Sequence, residues 1–160
     1  MVKGWNVVFI VALLVLLAAC GQEAEAPNNE GQDDQEGVEE MNDWQLEVQT
    51  NQNEGTLLVE MTLTNETGES QTIEFPSSQM YELVLTDESD EEVYRFSEDM
   101  MFTMAIVEDE LAAGDSRSYE ETISVNDLDS GSYTLLAEIV GKPTNDLELP
   151  SATIDIEITK

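Results

Sequence analysis

Leu57-Leu58-Val59-Glu60-Met61-Thr62-Leu63-Thr64 is the stretch on which the fold turns. Leu57, Val59, Met61 and Leu63 share one side of an extended chain, and Glu60, Thr62 and Thr64 share the other. Successive side chains of a strand point to opposite faces, so this is the pattern of a half-buried β-strand. The same beat recurs in both directions. Trp44, Leu46 and Val48 alternate with Gln45, Glu47 and Gln49. Ile73 and Phe75 follow the turn residue Gly68, and Tyr81, Leu83 and Leu85 alternate with Glu82 and Thr86, broken only by Val84. Val93 to Phe96 follow the acidic turn Asp87-Glu88-Ser89-Asp90-Glu91. Tyr133, Leu135, Ala137 and Ile139 form another stripe, and Ile154, Ile156 and Ile158 a last one. About seven to eight short strands, with Asn, Gly, Ser and Asp at the breaks, predict an all-β fold, an antiparallel β-sandwich. Glu98 to Val107 fits neither the strand nor the helix period and is expected to be a loop or short helix before an irregular strand.

A local signal refines this expectation. Asp129-Ser130-Gly131-Ser132-Tyr133 resembles the tyrosine corner of immunoglobulin-like domains, where a glycine-bearing turn enters a strand and the Tyr hydroxyl bonds back to the backbone upstream. The folded unit is therefore expected to be an immunoglobulin-like sandwich over residues 44–160.

The chain begins differently. Lys3 precedes a short apolar run from Val7 to Leu17, followed by Ala18, Ala19 and Cys20. One positive charge, a short apolar core and small residues before a cut site describe a secretory signal peptide over residues 1–19. The apolar run is short for a bilayer span, which takes roughly 20 residues. Leu17-Ala18-Ala19-Cys20-Gly21 resembles the bacterial lipobox, which implies cleavage before Cys20 and a diacylglyceryl thioether on its sulfur. Two buried acyl chains suffice for stable anchoring. The expected address is the extracytoplasmic face of the cell membrane, with the membrane itself a partner through the lipid on Cys20. The competing reading is an uncleaved transmembrane anchor. Residues 20–43 carry nine acids and no base, with almost no large apolar side chain before Met41. Such a segment is expected to be an extended, disordered tether.

Composition excludes several functions. Cys20 is the only cysteine and there is no histidine, so neither a thiolate metal cage nor a histidine-based triad is available to the folded part. No cofactor, metal or catalytic residue is expected, and the protein is read as a non-enzyme. Asp and Glu number 36 against five Lys and Arg, a net charge of −31. A surface this negative repels nucleic acid, which is excluded as a partner. The acids are spread along the chain, as expected for a solvated surface; selection of a basic partner is the sharper alternative. Asp87 to Glu92 and Asp127 to Gly131 offer oxygens that calcium would accept, but neither has EF-hand spacing, and both read as ordinary acidic turns. Arg95 is expected to pair with cross-strand acids.

From about Leu46 to Val140 the chain resembles the BsuPI-type intracellular proteinase inhibitor domain, an immunoglobulin-like sandwich. Leu63-Thr64-Asn65-Glu66-Thr67 is similar to the family's strand ending in Asn before a polar turn. Ile73 to Leu83, through Phe75, Ser77-Ser78-Gln79 and Tyr81, is similar to its phenylalanine, serine-glycine-glutamine and tyrosine run. Val93-Tyr94-Arg95-Phe96-Ser97 looks like its aromatic-arginine-aromatic-serine strand. Phe102-Thr103-Met104-Ala105, Leu111 to Ser116 and Gly131-Ser132-Tyr133 follow in order. Ser78 stands where the family tends to have Gly, Ala113 where it has Pro and Asp115 where it has Glu. The resemblance implies inhibition of subtilisin-like serine proteases, hence a protein-binding module with a serine protease as partner. The alternative is a structural or assembly lipoprotein that packs against another envelope protein and inhibits nothing. A substrate-like inhibitor needs an exposed extended loop with an apolar side chain for the enzyme's main pocket. Met100, Met101 and Phe102, directly after Glu98 and Asp99, are the candidate protease-contact loop. The competing and preferred reading makes all three core side chains, because Met commonly fills irregular gaps.

Overall fold

The alternating stretches become strands in the computed structural model, which describes residues 34–41, 43–98 and 100–160. Eleven strands occur among the described residues: β1 (Asp34–Met41), β2 (Trp44–Asn53), β3 (Thr56–Asn65), β4 (Gln71–Phe75), β5 (Tyr81–Asp87), β6 (Glu92–Arg95), β7 (Val107–Leu111), β8 (Ser116–Ser124), β9 (Gly131–Ile139), β10 (Lys142–Pro143) and β11 (Ser151–Ile158). All pair antiparallel, in three sheets. The front sheet has the order β1-β2-β3-β8, the back sheet β11-β9-β5-β6, and a small third sheet β10-β4-β7. The expected all-β sandwich is what forms. Its core takes alternate residues from both large sheets, such as Leu46, Val59 and Met61 from the front and Leu85, Leu135 and Ile156 from the back. Ile73 and Phe75 of the small sheet join the same core. Among the described residues no helix is long and apolar enough to cross a membrane.

Turn chemistry sets the registers. The β2–β3 hairpin pairs Asn53 with Thr56 around Glu54 and Gly55, whose φ angles are 20° and 83°. A Cβ on Gly55 would also lie 2.1 Å from the Asn126 side-chain oxygen. Only glycine combines that backbone with that approach. At the tyrosine corner, the Tyr133 hydroxyl donates to the Asp129 carbonyl at 3.0 Å, as the motif requires.

Four strands depart from the sequence expectation. β1 lies inside the segment expected to be tether: Asp34 to Met41 pair along β2 from Asn51 to Trp44. The correction has a simple cause. Ladder hydrogen bonds are made by the main chain, so an acidic segment can occupy a sheet edge while Glu36, Glu39 and Glu40 stay exposed. Gly37 allows the close approach to the back sheet, for a Cβ there would lie 2.8 Å from Ile154. The front sheet thus includes residues up to ten positions before Trp44. β8 is an edge strand whose outer residues are Ser, Arg, Glu and Thr, which hides it from a hydrophobic pattern. β10 has two residues, and β6 stops at Arg95, so that Phe96–Glu98 forms a single 3-10 turn. The expected signal peptide, Cys20 and the tether up to residue 33 lie outside the described residues.

One polar side chain joins two sheets. Asn65, fully buried at the end of β3, directs its amide nitrogen at the carbonyls of Glu69 (2.8 Å), Leu111 (3.0 Å) and Ala112 (3.2 Å). Its oxygen accepts from the Thr67 N–H at 3.1 Å and hydroxyl at 2.7 Å. Leu111 ends β7 in the small sheet, while β3 belongs to the front sheet. Asn65→Ala strands these carbonyls, and each unmet buried polar group costs about 1–3 kcal/mol. Urea unfolding is expected to show a loss of about 2–4 kcal/mol, with a similar loss for Asn65→Asp, which keeps the acceptor and discards the donors.

Candidate functional site

Three separate sequence stretches meet beneath one loop. Within the connection from the 3-10 turn to β7, residues 100–106 carry no charge. Met101 is fully exposed (101%), Met104 nearly so (87%), and Ile106 and Met100 are exposed at 66% and 46%. The core reading of Met100 and Met101 is thereby corrected: they point to water, because the chain leaves the sandwich at this point and makes no ladder. Phe102 is the exception. It is half-buried and packs on the core, its ring centroid 5.9 Å from that of buried Phe96. Glu98 is exposed, and Asp99 lies outside the described residues.

Aromatic packing supports the loop. Phe96 stacks on Tyr81 with centroids 4.6 Å apart, and Tyr81 meets Tyr119 of β8 at 5.7 Å. The row Tyr119, Tyr81, Phe96, Phe102 therefore runs from the edge of the front sheet to the loop. Such offset and tilted pairs contribute about 0.5–1.5 kcal/mol each beyond the area they bury. The Tyr81 hydroxyl donates to Glu121 at 2.9 Å. Burial first, then that bond to a carboxylate, pushes the Tyr81 phenol far above its ordinary value. Burial, with Asp109 nearby, pushes Tyr119 up to about 12. Both phenols stay protonated in ordinary buffers, so the row is uncharged.

Polar anchors complete the platform. Glu82, only 9% exposed, accepts from the Ser97 N–H at 3.0 Å, the Leu83 N–H at 3.3 Å and the Gln79 side-chain amide at 3.2 Å. Arg95 lies 3.9 Å from Glu82 and forks onto Glu92 three residues back. Its hydrogen bond holds the Glu92 carboxyl below the usual range and the guanidinium above its own. Arg95 thus pairs with acids as expected, one of them on the neighbouring strand. The loop itself is pinned at Thr103. Its N–H donates to the Ser78 hydroxyl at 2.9 Å and its carbonyl accepts from the Ser78 N–H at 3.0 Å. Ala105 N–H donates to the same carbonyl at 2.9 Å.

The Asp87 turn is occupied with its own backbone. One Asp87 carboxylate oxygen accepts from the Ser89 N–H at 2.8 Å and the Glu91 N–H at 3.0 Å. Asp87 and Glu88 share a shallow groove with Asp129 and Ser130. Among the described residues no group of three or more His, Cys, Asp or Glu side chains is placed to hold a metal ion.

The residues of the platform, Ser77 to Tyr81, Tyr94 to Ser97 and Phe102 to Ala105, are among those on which the family resemblance rests. The family described as BsuPI, intracellular proteinase inhibitor, matches residues 44–144. The chain belongs to the BsuPI family. No curated protein matches it. Among solved structures it is similar to β-glucosidase 3B from Thermotoga neapolitana in complex with α-D-glucose, at 14% identity and a TM-score of 0.37, over 71% of this chain and 16% of that one. The family is one of inhibitors. Sequence reading found Met100, Met101 and Phe102 but passed over Ser78 and Glu82, which hold the loop, and Met104 and Ile106, which extend its apolar tip. The signal for the last two was present, since they share the stretch that fits no period.

The two halves of the loop are expected to differ in stability. Met101→Asp should leave the unfolding free energy within about 0.5 kcal/mol, as surface changes do. Phe102→Ala should lower it by about 1–2 kcal/mol through the lost ring contact and burial. Paired urea melts of the two variants measure this contrast.

Proposed function

We propose that this protein is a membrane-tethered inhibitor of subtilisin-like serine proteases that works outside the cytoplasm through residues 100–106. The observation that carries the reading is the fully exposed Met101 side chain directly before two anchored residues, Phe102 on the Phe96 ring and Thr103 on Ser78. An apolar side chain held in water without shelter is set for a pocket, and a loop already ordered loses little further entropy on docking. Main-chain groups of an extended loop supply affinity, and the side chain supplies specificity. The action is by contact; the domain supplies no nucleophile or base to the reaction.

Titration of the purified protein into a subtilisin-type protease tests this. Near-stoichiometric loss of proteolytic activity is the expected result, with Met101→Asp abolishing it while leaving the far-UV spectrum intact. Full protease activity beside intact protein would instead support the assembly-lipoprotein role, and rapid digestion of the protein would rule out inhibition.

The address rests on the lipobox resemblance alone. Lipid on Cys20 would hold the inhibitor at the extracytoplasmic face of the cell membrane, with the acidic segment to residue 33 spacing it from the surface. Cys20→Ser is expected to release the protein from membrane pellets or leave it with its first 19 residues uncut. Mass spectrometry of the N-terminal peptide distinguishes both from the lipidated form.

A further inference from the structure

Resting on the reading of residues 100–106 as the contact loop, we infer that Ser78 holds the leaving-group side of the Met101–Phe102 peptide bond and so prolongs the inhibition that the loop gives. The loop changes character across that one bond. On its N-terminal side Met101 is fully exposed. On its C-terminal side Phe102 is lodged against Phe96, and both main-chain polar groups of Thr103 are bound by Ser78. An apolar residue followed immediately by two anchored residues is the arrangement a substrate-like inhibitor needs at its reactive bond.

The chemistry follows from that placement. The hydroxyl oxygen of the protease serine adds to the Met101 carbonyl carbon. The bond from that carbon to the Phe102 nitrogen breaks, and the freed amine takes the proton that the enzyme's general acid delivers. From an ordinary substrate this amine departs and water hydrolyses the acyl-enzyme. Here the amine belongs to a stump fixed by the Phe96 ring and the Ser78 hydrogen bonds. It stays beside the acyl carbon at high effective concentration, returns its proton and re-forms the peptide before water intervenes.

Ser78 contributes a group that the glycine typical of the family at this position does not have. The backbone bond from Ser78 N–H to Thr103 would survive with any residue, whereas the bond from Thr103 N–H requires the hydroxyl. Ser78 lies outside the left-handed region, so its replacement by alanine introduces no backbone strain. Ser78 is a positioning residue: it touches the loop, and the protease's own groups perform the reaction.

The test incubates the intact protein, in excess, with a subtilisin-type protease and follows returning activity together with fragment masses. The wild-type protein should inhibit durably, with any cut confined to 101–102. Ser78→Ala should inhibit at first and then be consumed about tenfold faster, the effect of one lost hydrogen bond of ordinary strength. Ser78→Thr, which keeps the hydroxyl, should restore durability. If Ser78→Ala fails to fold, Ser78→Gly provides the same comparison with the residue typical of the family. Equal durability of wild type and the hydroxyl-free variant overturns the role of Ser78 alone, as does cleavage at another bond. Absence of inhibition by the wild-type protein overturns the contact-loop reading and this inference together.

Discussion

Three carbonyls converge on the amide nitrogen of Asn65, and two hydrogen bonds from Thr67 meet its oxygen. The position of this side chain governs how the sheets meet. β7 and β8 follow each other in sequence yet belong to different sheets, so the chain must turn sharply between Leu111 and Ser116. The carbonyls of that turn lose their ladder partners, and buried carbonyls need replacements. Asn65 supplies them from the end of β3. The Gly114 N–H donates to the Asn65 carbonyl, and the Asn65 N–H to the Asp115 carbonyl, so the turn is closed on both sides. Arg117 adds a fork onto Asp109 that bridges β8 and β7 a few residues further along. The Asn65 network is buried and must be satisfied; the Arg117 pair is largely exposed and contributes less.

That junction bears on residues 100–106 through β7. Residues 100–106 enter β7 at Val107, which pairs with Phe75, and β7 leaves at Leu111, beside Asn65. The far end of β7 is therefore held by a buried amide and its near end by Ser78 and the aromatic row. On β5, under the 3-10 turn that precedes the loop, Glu82 is a nearly buried carboxylate. Removing a carboxylate from water is costly unless its oxygens are met by donors. The Ser97 N–H, the Leu83 N–H and the Gln79 amide meet them, with Arg95 close by. The fold tolerates that burial at the point where β6 gives way to the 3-10 turn.

Sequence periodicity made the core legible, because Leu57, Val59, Met61 and Leu63 report their burial through spacing alone. It also identified Tyr133 and the corner bond to Asp129, since that bond needs only a turn and a tyrosine close in sequence. Strands β1 and β8 were hidden for one reason: an edge strand is held by main-chain hydrogen bonds, and its side chains are free to be polar. The candidate loop was half legible. An aperiodic run of large apolar residues signals a departure from the sheet, but it does not say whether the run folds under or stands out. Phe102 folds under because Phe96 offers a ring within reach, and Met101 has no such neighbour on the core side. The Ser78 clamp was beyond sequence reasoning. Ser78 and Thr103 lie 25 residues apart and meet only because β4 and β7 pair.

An exposed run of Met100, Met101, Met104 and Ile106 would ordinarily invite self-association. The rest of the molecule opposes it. Arg95, Arg117 and Lys142 each lie against a carboxylate, which leaves a large excess of acids facing water. Two copies approaching loop to loop must bring together like charges on the surrounding surfaces, and that repulsion acts at about 8–10 Å at moderate ionic strength, before apolar contact forms. A partner with a neutral or basic rim meets no such barrier. The acidity distributed over the sandwich and the neutrality of seven consecutive loop residues thus pull in opposite directions at the loop: the apolar side chains favour contact, and the surrounding charge disfavours contact with a second copy over contact with a neutral or basic surface.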